Sequence, residues 1–374
     1  MKLNEICEVY SGYALKAFND AEDGLPVVKI GNILMDGTLN LEECQYTTDS
    51  VNEKYYSQRG DIYIALSGAT TGKIGIMDAG EKYVINQRVG IVRQKSDDIP
   101  QEYIKYFLLR QTGRILQEAA GCAQPNISPK QIAEYVIPDT SQEKMQEICE
   151  VLDRIKQIID SRKAEISALD DLIKARFVEM FGNPEINDKG WNVYKLEQLC
   201  EVSSSKRIYQ NEQSMRGIPF LRISDLVNRI DTDSKKCDSY ISQERFEELK
   251  ELGLVPMSGD ILLTARGTLG RCYIIQDDDE FYFQDGMITW LSKYDAKITP
   301  VYISYLFEMP GFRKQIDSLQ AGSTVAYLSI SMTKKLDIMV PPIELQNDFA
   351  AFVYQVDKSK SCSDVGVIMI KIKT

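Results

Sequence analysis

The chain repeats itself. KLNEIC (Lys2 to Cys7) returns 193 residues later as KLEQLC (Lys195 to Cys200), and LPVVKIGNI (Leu25 to Ile33) returns at the same shift as IPFLRISDL (Ile218 to Leu226). Arg59-Gly60-Asp61-Ile62 returns as Ser258-Gly259-Asp260-Ile261, and SGATTGK (Ser67 to Lys73) as the one-shorter RGTLGR (Arg266 to Arg271). Such a chain must build one kind of unit twice. It should also perform one kind of operation twice, such as gripping two pieces of an elongated ligand.

Length agrees, because 374 residues exceed the usual single core and suit two domains of about 150 residues plus a connecting element. No run approaches the length of an apolar membrane span, and the opening MKLNEICEVY has no apolar signal core, so a cytoplasmic chain with no membrane contact is expected. The 8 cysteines are scattered without a CxxC pair, which reads as reduced thiols rather than a zinc cluster or disulfide framework. Histidine is absent altogether, removing the commonest general base and zinc ligand and every His-dependent triad. With 44 bases against 55 acids, the net charge of −11 does not suit a chain that clamps DNA alone. Either the bases gather on one face or a partner supplies much of the phosphate attraction.

The first copy reads as short strands: Val27 to Ile30, Ile62 to Leu66, Ile74 to Met77 and Val89 to Arg93, separated by Gly, Asp and Asn turns. A helix follows Pro100 and ends near Gly113, and Pro300, Tyr302, Tyr305 and Gly311 recur in the second copy. Without a βαβ rhythm the expected class is α+β. Between the copies, Met145, Ile148, Leu152, Ile155, Ile159, Arg162, Ile166, Leu169, Ile173, Arg176 and Met180 alternate by three and four, as in a coiled coil about 60 Å long. Thr140 with Glu143 makes a capping box, and Gly182-Asn183-Pro184 stops the helix. Its copy starts with FAAFVYQVDKSK (Phe349 to Lys360), but Gly366 and the β-branched Val365, Val367, Ile368 and Ile370 predict that the second helix breaks off early. The expected domains are 1–140, 141–182, 183–345 and a truncated helix with altered tail at 346–374.

Three fragments imitate catalytic signatures. Gly68 to Lys73 has three residues between its glycines where a phosphate-binding loop has four, and Ile74 cannot ligate magnesium. Pro138-Asp139 with Glu143-Lys144 resembles a metal-dependent nuclease layout, but it serves a helix entrance. The acids at Glu42-Glu43 and Asp277 to Glu280 lack metal-loop spacing. The glycine loops suit DNA better, since glycine lets backbone amides approach phosphate while Arg and Lys bind phosphate or guanine edges. This singles out Thr70, Thr71 and Lys73 in one copy and Arg266, Thr268 and Arg271 in the other. Gln87-Arg88 and Gln284-Asp285 fall at related places, as do Lys29 with Asn32 and Arg222 with Asp225. Gln124, Asn126 and Tyr327 lie where QPNIS (Gln124 to Ser128) matches VAYLS (Val325 to Ser329) with a divergent centre. A solvated hairpin remains the plain alternative for each loop.

The order of module, long helix, module and helix resembles the specificity subunit of type I restriction-modification systems. The markers are the twin Gly-Asp-Ile segments, TTGKIGI (Thr70 to Ile76) with TLGRCYII (Thr268 to Ile275), LIKARFVEMFGNP (Leu172 to Pro184) and PPIELQNDFAAFVYQVDKSK (Pro341 to Lys360). The resemblance covers residues 1 to 360. It implies a non-catalytic reader of double-stranded DNA with two target recognition domains, each reading half of a bipartite asymmetric site, held apart by two long antiparallel helices, of which this chain is expected to have a long central one and a short second one packed against it. It also implies docking of two modification methyltransferase subunits, with motor-nuclease restriction subunits completing the complex. The partners would use S-adenosylmethionine, ATP and magnesium, and this chain would bind no cofactor or metal. Docking is expected through Ile148, Leu152, Ile155, Ile159, Ile166, Leu169, Ile173, Phe177, Phe352 and Val356. An unpaired central helix predicts self-association through residues 142 to 181, dependence on the modification subunits, or impaired assembly. A structural or protein-binding scaffold built on the coiled coil is the alternative.

Overall fold

The computed structural model describes residues 1–20, 24–120, 125–319 and 326–373, with side chains up to residue 360. The chain divides into two compact units, Met1–Ile158 and Ile159–Thr374. In unit 1 a four-stranded antiparallel sheet runs in the order Cys7–Ser11, Val89–Gln94, Ile62–Ala65, Ile74–Ile76. A three-stranded sheet has Leu25–Val28 between Gln45–Thr47, antiparallel, and Val84–Ile85, parallel. Unit 2 repeats the larger sheet as Glu201–Ser203, Ile288–Ser292, Ile261–Thr264, Cys272–Ile274. It repeats the smaller one as Tyr240–Ile241, Ile218–Leu221, Tyr282–Phe283, adding Gln213–Ser214 at the edge. The class is α+β.

Alternation along the central strand explains the layering. Ile62 and Ile64 join the core beneath the helices Gln101–Arg110, Thr112–Ala119 and Pro129–Ala133. Tyr63 and Ala65, on the opposite face, pack with Val28 and Ile85 of the small sheet. Ile261 and Leu263 repeat the helix-facing pair, and Leu262 meets Leu221 and Phe283. Each such side chain contributes roughly 1.5–3 kcal/mol on burial, which is why the central strands read as continuous apolar runs. The helix expected to end near Gly113 stops at Arg110, and Gly113 lies inside the next helix. A glycine there weakens the helix by only about 1 kcal/mol, which the burial of Ile115 and Ala119 offsets.

The repeated Gly-Asp pair closes a turn. Gly60 and Gly259 have φ of +94° and +86°, where a side chain would be strained. Asp61 Oδ2 then accepts from Gln58 N at 2.8 Å and Asp260 Oδ2 from Met257 N at 2.9 Å. The remaining acceptor capacity is met differently: Arg93 forks onto Asp61 at 2.8 and 2.6 Å, whereas Asp260 receives the indole N–H of Trp290 at 2.8 Å.

The long helix spans Gln142–Phe181, 40 residues. Its cap is Ser141, whose Oγ accepts from Lys144 N at 3.3 Å, rather than the Thr140–Glu143 box. Gly182 ends it with φ +83°, and Trp191 Nε1 and Lys189 Nζ donate to the otherwise orphaned carbonyls of Phe181 and Glu179 at 2.8 and 2.7 Å. The C-terminal helix, Ile343–Lys373, pairs antiparallel with the end of the long helix: Phe349 contacts Phe177 and Phe181, Arg176 lies over Phe352, and Lys360 bonds Asp170 at 2.7 Å. This helix is longer than expected, because its backbone remains helical to Lys373. Valine, isoleucine and glycine each cost at most about 1 kcal/mol in a helix interior, and propagating an established helix is far easier than starting one.

Candidate nucleic-acid interface

Unit 2 gathers three arginines around an open cavity of about 700 Å³. The strand Ile218–Leu221 delivers Arg222 at its end, where the Arg222 amide bonds Asp225 Oδ2 at 2.9 Å and opens the helix Ile223–Thr232. Parallel pairing of Leu221 with Phe283, continued by Gln284 N to Leu221 O at 2.9 Å, brings Gln284 beside it. The strand Ile261–Thr264 leads to Arg266, which forms an isolated bridge with Tyr327 and lies with its guanidinium 5.5 Å from that ring's centroid. Arg207, Gln210 and Gln213 complete the polar wall. Three arginines and one carboxylate, Asp285, line the cavity, and Arg207 Nε bonds that carboxylate at 2.9 Å. Guanidinium and carboxamide groups in one basin are the donors and acceptors that read guanine and adenine edges.

The structure thus gathers Arg222, Arg266, Gln284 and Tyr327 and leaves Thr268 and Arg271 outside. Arg271 bonds Asp231 at 2.5 Å, so it holds the helix that Arg222 opens, and its guanidinium keeps the Asp231 carboxyl below the usual carboxylate range. The Thr268 carbonyl accepts from Thr264 Oγ1 at 2.5 Å, which shapes the loop. Sequence reasoning missed Arg207, Gln210 and Gln213. Their signal was the polar, basic stretch SSSKRIYQNEQ directly before the repeated strand.

Unit 1 keeps the frame and changes the contents. Ile127 N to Leu66 O at 2.9 Å matches Leu328 N to Ala265 O at 3.0 Å, and the bridge of Ser67 with Asn126 matches that of Arg266 with Tyr327. Positive φ at Gly68 and Gly72 matches Gly267 and Gly270, so these glycines serve the turn. Thr71 is 5% exposed and its hydroxyl donates to Gly68 O at 2.7 Å, while the Thr70 hydroxyl is buried. Both threonines face inward. Lys73 is half-buried, and Gln87, Arg88 and Asn126 are exposed. Lys29 bonds Gln45 and lies 3.6 Å from the centroid of Phe18; burial lowers its pKa, and Asp20 opposes that shift. Gln124 lies outside the described residues. The two glutamines are not equivalent: the register Val28–Ile85 against Leu221–Phe283 sets Asn86, not Gln87, in the place of Gln284.

The docking stripe also divides. Ile173, Phe177 and Val356 are buried in the unit 2 core with Leu169 and Phe352 packed against it, and Ile148 packs on the unit 1 core. Leu152, Ile155, Ile159 and Ile166 are half-buried. Among the described residues no helix is long and apolar enough to cross a membrane, and no cluster of three or more acidic or cysteine side chains could hold a metal ion.

The α+β unit occurs twice, and in unit 2 its loops collect arginine, glutamine and tyrosine around one cavity. Residues 1–170 and 188–362 match the Type I restriction modification DNA specificity domain, and the chain belongs to that family, acting as the non-catalytic specificity subunit of a type I restriction-modification complex. It is 26% identical over 299 residues to a Haemophilus influenzae protein named provisionally as a type I restriction enzyme specificity subunit, covering 78% of this chain and 74% of that one. It is 22% identical over 326 residues to the MjaVIII specificity subunit of Methanocaldococcus jannaschii, covering 82% and 74%. The crystal structure of a type I S subunit from M. genitalium superposes with a TM-score of 0.54 at 14% identity, covering 100% of this chain and 92% of that one, and so shares the fold.

Proposed function

We propose that the chain reads a bipartite, asymmetric DNA site, with one half-site read by each of two target recognition domains at residues 1–140 and 183–345. The observation that carries this reading is the unit 2 cavity, where Arg207, Arg222 and Arg266 converge with Gln213, Gln284 and Tyr327. In unit 1 the matching frame offers Lys29, Gln87, Arg88 and Asn126. The same frame with different side chains suits two half-sites of different sequence. The net charge of −11 assigns the nonspecific phosphate attraction to partner subunits.

Those partners are two modification methyltransferase subunits, using S-adenosylmethionine, and motor-nuclease restriction subunits, using ATP and magnesium. The segments 141–182 and 346–374 provide the spacer and docking elements. The part of the stripe left for docking or self-association is Leu152, Ile155, Ile159 and Ile166, since the neighbouring apolar residues are packed in cores. The test is to sequence DNA retained by the purified assembly from a random pool and to map adenine methylation beside it. One gapped motif in both measurements is expected. Uniform retention would overturn the reading and favour a scaffold.

A further inference from the structure

Asp285 lines the unit 2 cavity without serving its frame. It opens an Asp-Gly turn between the strands Tyr282–Phe283 and Ile288–Ser292, yet it does not brace that turn. Other turn carboxylates of unit 2 accept main-chain amides: Asp225 from Arg222 N, Asp260 from Met257 N and Asp279 from Gln276 N, each at 2.9 Å. Asp285 accepts none among the described residues, and Gly286 N donates instead to Ser204 Oγ at 3.3 Å. Among those residues its carboxylate is bonded by Arg207 alone, Nε to Oδ2 at 2.9 Å, which leaves Oδ1 as a ready acceptor on a side chain 22% exposed.

The internal repeat does not carry this carboxylate. The pairs Val28–Ile85 and Ala65–Val89 of unit 1 match Leu221–Phe283 and Thr264–Ile288 of unit 2, so the turn Asn86 to Arg88 becomes one residue longer as Gln284 to Met287 and gains the Asp-Gly step. The pair Tyr10–Ile91 matches Ser203–Trp290, which sets Ala14 in the place of Arg207, and Ser67 stands in the place of Arg266. Residues that one copy holds and the other lacks serve the ligand rather than the frame. A carboxylate repels phosphate oxygens, but it accepts from the N4 amino group of cytosine, while arginine suits the O6 and N7 of the paired guanine. We propose that Asp285 is a specificity-determining residue that accepts from a cytosine N4 amino group in the half-site read by unit 2, with Arg207 as the residue that positions it. That half-site then contains a G·C pair, for which the turn of unit 1 has no counterpart. The proposal rests on the reading of this cavity as a DNA site.

The assembled complex is presented with a random duplex pool, and the DNA it retains is sequenced for the unaltered chain and for Asp285→Asn. The unaltered chain should yield a gapped motif with an invariant G·C pair at which Asp285→Asn loses at least about fivefold in discrimination, every other position keeping its preference. Arg207→Ala should blur the same pair and no other. A second measurement needs no altered protein. N4-methylcytosine at that position keeps its pairing but turns a methyl group to the major groove in place of the amino hydrogen. The unaltered chain should bind that duplex at least about fivefold more weakly, and Asp285→Asn should not distinguish the two duplexes. A motif that Asp285→Asn leaves intact at every position would overturn the proposal while DNA reading stands, as would indifference of the unaltered chain to the N4 methyl group. An even rise in affinity across sequences in Asp285→Asn, with preferences unchanged, would equally overturn it, marking a carboxylate that only repels phosphate. Absence of any gapped motif would overturn the reading of the cavity itself, and the proposal with it.

Discussion

Arg266 offers the sharpest test of the unit 2 cavity. Its guanidinium lies over the Tyr327 ring and beside Arg222 and Gln284, so truncation removes a charged donor from the wall without opening a core. If Arg266 forks onto a guanine, Arg266→Ala should cost about 1–3 kcal/mol, a loss of roughly 5- to 150-fold in affinity, and should relax preference at one position of one half-site. If it contacts phosphate, binding should weaken evenly across sequences and the slope of log K against log salt should fall by about 0.9. The assay is fluorescence anisotropy with the assembled complex over a salt series, using the cognate duplex and single-base variants. Arg271→Ala is the control. Its side chain is committed to Asp231, outside the cavity, so its loss should change affinity by no more than about fivefold and leave base preference intact. Unchanged affinity, slope and preference in Arg266→Ala would refute the assignment of this cavity to DNA.

Three further outcomes follow from the cores. Phe177→Ala deletes a ring in contact with Phe181, Tyr302 and Phe349 and should destabilise unit 2 by about 3–5 kcal/mol in denaturant unfolding, leaving a separate unit 1 transition in place. Burial raises the Asp260 carboxyl above its ordinary value despite bonds from Met257 N and Trp290, so its contribution to unit 2 stability is fully present below the unfolded pKa and is lost as pH rises through the raised folded value. Asp260→Asn keeps an acceptor for both donors and should remove that dependence in unfolding measured from pH 3 to 7, both limits being approximate, about the ordinary Asp range. Burial pushes the Cys7 and Cys200 thiols up to about 12, so neither should react with an aromatic disulfide reagent near neutral pH until denaturant is added.

The legible features were those recorded in short stretches of chain. Apolar runs such as Ile62 to Leu66 marked central strands because both faces are covered. The three-four spacing from Met145 to Met180 marked a helix far longer than a small domain needs. The double appearance of Gly-Asp-Ile marked one turn made twice. Lys29 with Asn32 and Arg222 with Asp225 were visible as a pair because each acceptor lies three residues after its donor, the reach of a helix entrance. Features resting on register or on a distant partner were hidden. Gln284 matches Asn86 rather than Gln87 because strand pairing counts residues from Leu221 and Val28. Arg271 points to Asp231, 40 residues away, and no spacing in the chain announces that bond.

The order of elements, their duplication and the apolar faces are therefore properties of the chain itself, since each depends on periodicity within a few turns or strand residues. The repeat also carried the family resemblance, because it preserves that frame while the loops diverge. Folding in three dimensions selected which bases share a cavity. Parallel pairing of Leu221 with Phe283, and the bridge of Arg266 with Tyr327, join segments about 60 residues apart and bring Arg222 and Arg266 to one basin, where Arg207 bonds Asp285. It also buried Phe177 against Tyr302 and Phe349, because a helix face is covered only where another element reaches it.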